Sequence, residues 1–193
     1  MPVSGRSRAH LAVATAAVAN QFVVSANMKV GLYTLANAGA RPTEGARLVT
    51  VTHTTVDGAD TLGTIAVAGT DLSGAVITDT ITPLAGTIAT GTKWFRTVTS
   101  VTGAGWVATS TADTIVVGCS ARVIVAEGAG VLHSIIVNTT AAGAITSKDS
   151  AGTIAIIAAS VVEGTFHYWD VAFAGYLEVV LAAASDVTVV FSQ

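Results

Sequence analysis

Few side chains in this sequence have the types and spacing that chemistry requires. His53, Asp57 and Asp60 stand in one short stretch, and imidazole and carboxylate groups are ligands for metal ions. A hard cation such as Ca²⁺ takes about six or more oxygen ligands, and this stretch supplies few. The letters "DGAD" at 57–60 are typical of a turn, because aspartate side chains bond to the neighbouring backbone. We therefore expect a turn here and no metal site.

Catalysis has no recognisable signature in the sequence. There is no nucleophile elbow, no HExxH zinc motif and no strand–GxGxxG–helix pattern. Paired carboxylates for glycoside cleavage stay open as an alternative, because such partners can be far apart in the chain. The single cysteine, Cys119, excludes an intramolecular disulfide, and we expect it to be buried in a strand. We expect no catalytic residue and no cofactor.

One aromatic stretch is a better candidate for a binding role. Trp94, Arg96 and Trp106 stand among small residues in "WFRTVTSVTGAGW". Strand alternation predicts Trp94, Arg96 and Val98 on one face, and Phe95 on the opposite face in the core. Trp94, Arg96 and Trp106 are therefore our candidates for a subunit contact.

Two further pairs complete the interface candidates. His167 and Trp169, in "TFHYWD", share one face of a strand, where they pack in a core or subunit interface or form a carbohydrate- or peptide-binding patch. Arg6 and Arg8 belong to a basic N-terminal segment. Such a segment suits an acidic partner surface, and a solvated tail is the alternative.

The composition points to a protein whose surface is covered by partners. Charged residues make up 11% of the 193 residues and hydrophobic residues 51%, whereas soluble domains carry about 25% charged residues. The apolar stretches are shorter than the roughly 20 residues of a spanning helix, so we expect no membrane partner. A net charge of −3 argues against direct nucleic-acid binding. Assembly with other proteins is the remaining explanation.

The order of strand and turn signals predicts an all-β fold. Runs rich in Val and Thr are separated by turn residues at spacings of about 8–12 residues. The stretch "VAEGAG" at 125–130 is the best boundary. We expect two antiparallel β-sandwich or jelly-roll-like modules, 45–125 and 126–193, after an extended or partly helical N-terminal arm, 1–44. The arm's basic residues and weak apolar run also fit a cleaved secretory signal.

Motifs in the first module follow one another in a recognisable order. A Thr/Val strand leads to a "GTD–small–G" turn at 69–74, "TDTIT" at 78–82, "FRTVTSV" at 95–101 and "TIVVG" at 114–118. This series resembles a module frequent in structural proteins of tailed bacteriophages. The stretches "GVLHSIIVNT" at 130–139 and "DVTVVF" at 186–191 are similar to small sandwich modules of phage head and tail accessory proteins. The resemblance covers most of 45–193 and leaves the lead-in uncovered.

The resemblance implies a virion component. It implies a capsid decoration (cement) protein on the capsid surface, a homotrimer that bridges and stabilises major capsid subunits without catalysis. A neck, tail or baseplate structural protein, bound to other virion proteins, is the alternative. From another class we retain a receptor- or glycan-binding module that uses Trp94, Trp106, His167 and Trp169. Under the leading interpretation, we expect that residues 1–30 contact the shell and can be removed without unfolding the protein.

Overall fold

The computed structural model describes residues 5–14, 18–29, 31–36, 45–56, 58–107, 113–139 and 141–193, without the side chains of 12–14, 166 and 168. The described residues form antiparallel β-sheets and contain no helix, which confirms the all-β class. The described part of 1–44 includes two strands, so the expectation of a partly helical arm is not supported. Backbone groups that were expected to lie in a free arm are paired in sheet ladders. Within the described residues there is no helix that is able to span a membrane.

The chain forms two compact units. One contains the described residues among 5–14, 45 and 121–193, and the other those among 18–36 and 46–120. The strands of the first unit are β1 (Ser7–Ala14), the second part of β8 (Thr114–Glu127), β9 (Gly130–Val137), β10 (Ile145–Lys148), β11 (Thr153–Ile157), β12 (Phe166–Phe173), β13 (Tyr176–Leu181) and β14 (Ser185–Ser192). The other unit, which we call the inserted unit, has β2 (Val18–Asn27), β3 (Ala46–Thr54), β4 (Thr64–Thr70), β5 (Val76–Ile81), β6 (Ile88–Phe95), β7 (Thr97–Ala104) and the first part of β8.

The first unit is a sandwich of two antiparallel sheets. Its strands run in the order β1-β14-β9-β12 in one sheet, the β12 sheet, and β11-β10-β13-β8 in the other, the β11 sheet. When β1 and β8–β14 are numbered consecutively from one to eight, the two sheets read 1-8-3-6 and 5-4-7-2. This is the strand order of a jelly roll, which joins two Greek keys. We call it the jelly-roll unit.

Alternating apolar residues of both sheets meet in the core of the jelly-roll unit. In β14, every second residue is buried from Ser185 to Phe191. The large residues of this core are Leu11, Val123, Val125, Leu132, Ile135, Val137, Ile145, Ile157, Phe173, Leu177, Val179, Leu181, Val187, Val189 and Phe191. The first strand, β1, therefore supplies part of a core whose other strands begin more than a hundred residues later in the chain.

The inserted unit is a second sandwich. A three-stranded sheet has the order β5-β4-β7, and β2, β8, β3 and β6 pair in the other sheet. The core between them contains Phe22, Val23, Tyr33, Val49, Val51, Ile65, Val67, Ile81, Ala89, Phe95, Val98, Val101, Ile115, Val117 and Cys119. The antiparallel sandwich expected from the spacing of the strands is thus present in both units.

The stretch around Arg96 is a corner between two sheets. Phe95 ends β6, which pairs with β3, and Thr97 begins β7, which pairs with β4. Phe95 is buried, as predicted, but Val98 is buried as well. The predicted alternation, with Val98 on the face opposite Phe95, is therefore wrong. The alternation of a single strand does not continue through a corner, and β4 shifts register opposite β7.

Asp79 links β5 to β6. Its Oδ2 atom accepts hydrogen bonds from the backbone N–H groups of Thr92 at 2.7 Å and Lys93 at 3.1 Å. A Cβ atom on Gly91 would lie 2.5 Å from the same oxygen, so only glycine leaves room for the carboxylate. The aspartate of the "TDTIT" motif therefore has a structural role.

The division between the units falls inside β8. Residues up to 120 belong to the inserted unit and residues from 121 belong to the jelly-roll unit. The "VAEGAG" stretch, predicted as a boundary, includes the tight hairpin between β8 and β9, where Gly128 has a φ of 97°. Such a backbone conformation favours glycine. The lead-in predicted at 1–44 contributes β1 to one unit and β2 to the other.

Candidate functional site

The two basic residues predicted to contact a partner lie at the start of the jelly-roll unit. Arg6 precedes β1, and Arg8 lies within it opposite Val190 of β14. Both arginines are exposed. The ladder with β14 fixes the backbone at Arg8, so its side chain is presented from a sheet and not from a free arm.

His167 and Trp169 lie on β12, at the edge of the β12 sheet. Their ring centroids are 5.7 Å apart with an interplanar angle of 15°, which confirms that they share one face. Trp169 is half-buried and packs against the core of the jelly-roll unit. The pair therefore contributes to packing, and only part of each ring is open to a partner.

The aromatic stretch of the inserted unit has both packing and turn contacts. Trp94 is half-buried on β6, opposite Leu48 of β3. Arg96 donates from Nη1 to the carbonyl oxygen of Leu72 at 3.3 Å, and this bond ties the corner to the turn after β4. Trp106 is half-buried and packs against the core of the unit. Trp106 is therefore a packing residue. Trp94 is the stronger candidate for a partner contact.

The stretch weighed as a metal site forms a buried hydrogen-bond cluster. Gly86 N–H donates to His53 Nδ1 at 3.0 Å, and His53 Nε2 contacts Asp113 Oδ2 at 2.8 Å. Asp60 Oδ2 accepts the backbone N–H of Asp113 at 3.1 Å. Asp57 lies outside the described residues. Both ring nitrogens of His53 are occupied, and the described residues contain no group of three or more His, Cys, Asp or Glu suited to a metal.

Cys119 is buried in β8, as predicted, with 3% of its surface exposed. Burial raises the pKa of its thiol, and the nearby guanidinium of Arg47 opposes that shift. Arg47 is itself buried and donates from Nη1 to the carbonyl oxygen of Ser120 at 2.9 Å. A buried thiol with a raised pKa is a poor nucleophile. Cys119 is therefore a packing residue.

The outer face of the β12 sheet has a polar cluster. Asp186 Oδ1 contacts His10 Nε2 at 2.8 Å and accepts a hydrogen bond from Asn138 Nδ2 at 2.7 Å. Burial raises the pKa of Asp186, but the bonds from Asn138 and His10 outweigh it and hold the pKa below its usual value. These contacts tie β1 and the end of β9 to β14.

The most distinctive surface feature of the jelly-roll unit is its β11 edge. In the described residues, β11 pairs with β10 on one side and ends the sheet on the other. Ile156 on this strand is 65% exposed, and Val162 in the next connection is also 65% exposed. Sequence analysis missed both residues. The uncharged run "TIAII" at 153–157 was the available signal, but it does not tell an edge strand from a central one.

No family model, no curated protein and no solved structure matches the chain. The resemblance to phage modules therefore depends on the strand and turn motifs of the sequence alone.

Proposed function

We propose that this chain is a structural protein of a tailed-bacteriophage virion, a decoration (cement) protein that bridges and stabilises major capsid subunits. The observation that carries the proposal is the uncharged edge strand β11 with its exposed Ile156. In this proposal the edge is covered when the protein assembles.

An edge strand presents backbone N–H and C=O groups that pair readily with another chain. Monomeric proteins protect such edges with lysine, proline, bulges or a covering loop. The five residues of β11 include neither a charge nor a proline. The register of β11 against β10 shifts between Thr153 and Ala155, but Ile156 stays in the regular part of the ladder, opposite Thr146. The outward side chain of Ile156 adds apolar area at the same place. Permanent coverage by a neighbouring subunit accounts for both features.

The jelly-roll unit and the composition support the same function. Eight-stranded jelly rolls occur in viral capsid domains. Only 11% of the residues are charged, so few charged side chains are available to cover the surface. This is expected of a protein whose surface is largely in contact with other subunits. An edge that pairs with a different surface of the next copy generates a closed ring when the rotation closes. Among such rings we favour the trimer, which the resemblance to capsid decoration proteins implies.

Bridging acts through buried area. Each copy contacts more than one capsid subunit, and several small interfaces on one molecule bind far more tightly together than each does alone. The exposed Arg6 and Arg8 supply positive charge for an acidic shell surface. Chemistry at the joint is not needed for this function.

Two alternative functions, a neck or tail protein and a glycan-binding module, predict different experimental results. A neck, tail or baseplate protein uses the same surfaces but is present in few copies per particle. Jelly rolls also occur in lectin domains, which favours a glycan-binding module as the candidate from another class. Specific binding on a glycan array, together with absence from virus particles, would support that candidate.

The composition of virus particles tests the proposal. Particles are purified by density gradient from a bacterial culture that carries the gene, and their proteins are quantified by mass spectrometry. We expect the chain in a copy number comparable with that of the major capsid protein. A few copies per particle would assign it to the neck or tail, and absence from particles would overturn the virion function.

Ile156→Lys is expected to convert the oligomer to a monomer. A lysine on an edge strand opposes pairing with another strand, because its charge would have to be buried. Light scattering should give about three times 19.3 kDa for the parent chain and about 19.3 kDa for the variant. The monomeric variant should stay folded, because Ile156 is 65% exposed within its own chain and is not part of its core.

Val76→Lys is the matched control for this substitution. Val76 begins β5 of the inserted unit and is 83% exposed, more than Ile156. The control variant should keep the parent mass. If both variants remain trimeric, or if the parent chain is a monomer, the β11 edge is not the subunit contact.

A further inference from the structure

A serine, a histidine and an aspartate meet on three neighbouring strands of the β12 sheet. Ser192 lies on β14, His133 on β9 and Asp170 on β12. Ser192 Oγ is 3.1 Å from His133 Nε2, and Asp170 Oδ1 contacts His133 Nδ1 at hydrogen-bond distance. In the sequence, Ser192 is 59 positions from His133 and Asp170 is 37 positions from it, so no local motif reveals the three residues.

The contacts define a role for each group. A carboxylate accepts hydrogen bonds, so its contact with Nδ1 places a ring proton on that nitrogen. Nε2 then has a lone pair directed at Ser192 and accepts the hydroxyl proton. A serine within reach of a base, with the base oriented by a third group, is the arrangement that activates a nucleophile.

Backbone irregularities converge at the same place. The register of β9 against β14 shifts between Val190 and Phe191, and that of β12 against β9 shifts between Tyr168 and Val171. Both shifts occur opposite His133. Asp170 has a φ of 50°, in the left-handed region that few non-glycine residues adopt. Bulges and such conformations concentrate next to active sites, where they direct a side chain.

The constellation is open to solvent on the outer face of the sheet. The side chain of Asp170 is 46% exposed and that of His133 is 16% exposed, and Ser192 is half-buried. The nucleophile, the base and the orienting carboxylate therefore share one accessible surface. An open surface of this kind suits a small acyl group carried on a larger molecule, because the alcohol portion needs no enclosing pocket.

We propose that Ser192, His133 and Asp170 form a nucleophile, base and positioning residue that cleave carboxylic esters of small acyl groups. This activity is additional to the proposed bridging function and does not depend on it. It departs from the expectation of a chain without catalytic residues.

The reaction proceeds in two balanced steps. Ser192 Oγ attacks the ester carbonyl carbon while its proton moves to His133 Nε2. The bond to the alcohol oxygen breaks, and the alcohol leaves with that proton. Water then attacks the acyl–Ser192 ester and gives a proton to Nε2. The carboxylic acid leaves as Ser192 Oγ recovers the proton.

A fluorophosphonate probe tests the nucleophile and the base directly. The probe reacts at an activated serine, where the phosphorus–oxygen bond forms and fluoride leaves. We expect intact-mass analysis of the full chain to show one added phosphonyl group, located on Ser192 by peptide mapping. Ser192→Ala should abolish the labelling, and His133→Ala should slow it by about 100-fold or more, the usual contribution of a general base.

Controls separate activation from simple exposure. Ser150 is an exposed serine bonded to the carbonyl oxygen of Ala174, so Ser150→Ala should label like the parent chain. His10→Ala removes the histidine of the other His–Asp contact of this sheet and should also label normally. Circular dichroism and the thermal midpoint establish that each variant is folded.

The role of Asp170 is tested by the labelling rate in variants that remain folded. Asn tolerates the left-handed backbone, but it no longer holds the proton on Nδ1, so Asp170→Asn should slow labelling without unfolding the chain. Asp170→Glu should recover part of the rate. Equal labelling of Ser192 and Ser150 would overturn the proposal, as would an unchanged rate in His133→Ala.

Discussion

Asp113→Ala is expected to lower the free energy of unfolding of the inserted unit by about 4 kcal/mol. Asp113 is 1% exposed, and its two carboxylate oxygens accept from Val56 N–H at 2.6 Å and contact His53 Nε2 at 2.8 Å. Gly86 N–H donates to His53 Nδ1, so the imidazole proton lies on Nε2. Alanine leaves the buried Nε2–H of His53 and the partly buried N–H of Val56 without their acceptor, and a buried donor without an acceptor costs more than the loss of the bond itself.

Tryptophan fluorescence in urea measures this loss. Trp94 and Trp106 lie in the inserted unit, and Trp169 lies in the jelly-roll unit. In a Trp169→Phe background the remaining fluorescence reports unfolding of the inserted unit. The midpoint should fall for Asp113→Ala while the urea dependence of the free energy stays the same.

Substitutions of the same cluster serve as controls. Asp113→Asn keeps one acceptor oxygen, so its effect should be intermediate. Asp60→Asn keeps an oxygen for the backbone N–H of Asp113 and should cost less than about 1 kcal/mol. His53→Ala combined with Asp113→Ala should show a coupling energy of about 1–3 kcal/mol. A loss below 1 kcal/mol for Asp113→Ala, or additive effects in the double variant, would contradict a structural role for the pair.

Strand content could be predicted because its causes are local. Runs of Val, Ile and Thr suit a pleated surface, and turn residues interrupt them. Gly74 and Gly105, in stretches read as turns, have φ values of 90° and 74°. The burial of Phe95 and Cys119 follows from the same local pattern. Periodicity identifies the buried face of a strand, but it carries no information about which strand lies beside it.

The contacts that define the sites are therefore the ones that sequence reasoning missed. His53 and Asp113 are 60 positions apart, and each residue alone is unremarkable in a Thr-rich strand or loop. His133 and Ser134 are neighbouring polar residues in the run "VLHSIIVN", and the sequence does not show that His133 is the one whose side chain points outward while Ser134 is buried. At Arg96 the chain changes sheets without a glycine or proline to mark the corner. Tertiary pairing, and not residue type, decides these cases.

Removal of residues 1–14 is expected to unfold the jelly-roll unit, contrary to the expectation of a dispensable arm. β1 pairs with β14 from Ser7 opposite Phe191 to Leu11 opposite Val187. Leu11 is fully buried and Ala9 is 7% exposed in the core. Loss of a single buried leucine side chain costs about 2–5 kcal/mol, and the deletion also removes a complete ladder of hydrogen bonds. A domain with an ordinary stability of about 5–15 kcal/mol does not survive both losses.

The measurement uses the fluorescence of Trp169 in a Trp94→Phe, Trp106→Phe background, together with hydrogen exchange of β14. We expect the truncated chain to lose the unfolding transition of Trp169, and the amides of β14 to exchange rapidly. Leu11→Asp should have the same effect without shortening the chain, because it places a carboxylate in an apolar core. Removal of residues 1–6, which stops before β1, should leave both readouts unchanged.

This pair of truncations also separates folding from partner binding. If Arg6 contacts an acidic shell, the chain without residues 1–6 should bind capsids more weakly while its jelly-roll unit unfolds as in the parent chain. A synthetic peptide of residues 5–14 should restore slow exchange in β14 of the chain without residues 1–14, because an added strand can complete an open sheet edge. Normal folding of that chain without the peptide would contradict the strand order of the jelly roll, in which β1 is an integral strand and not an appendage.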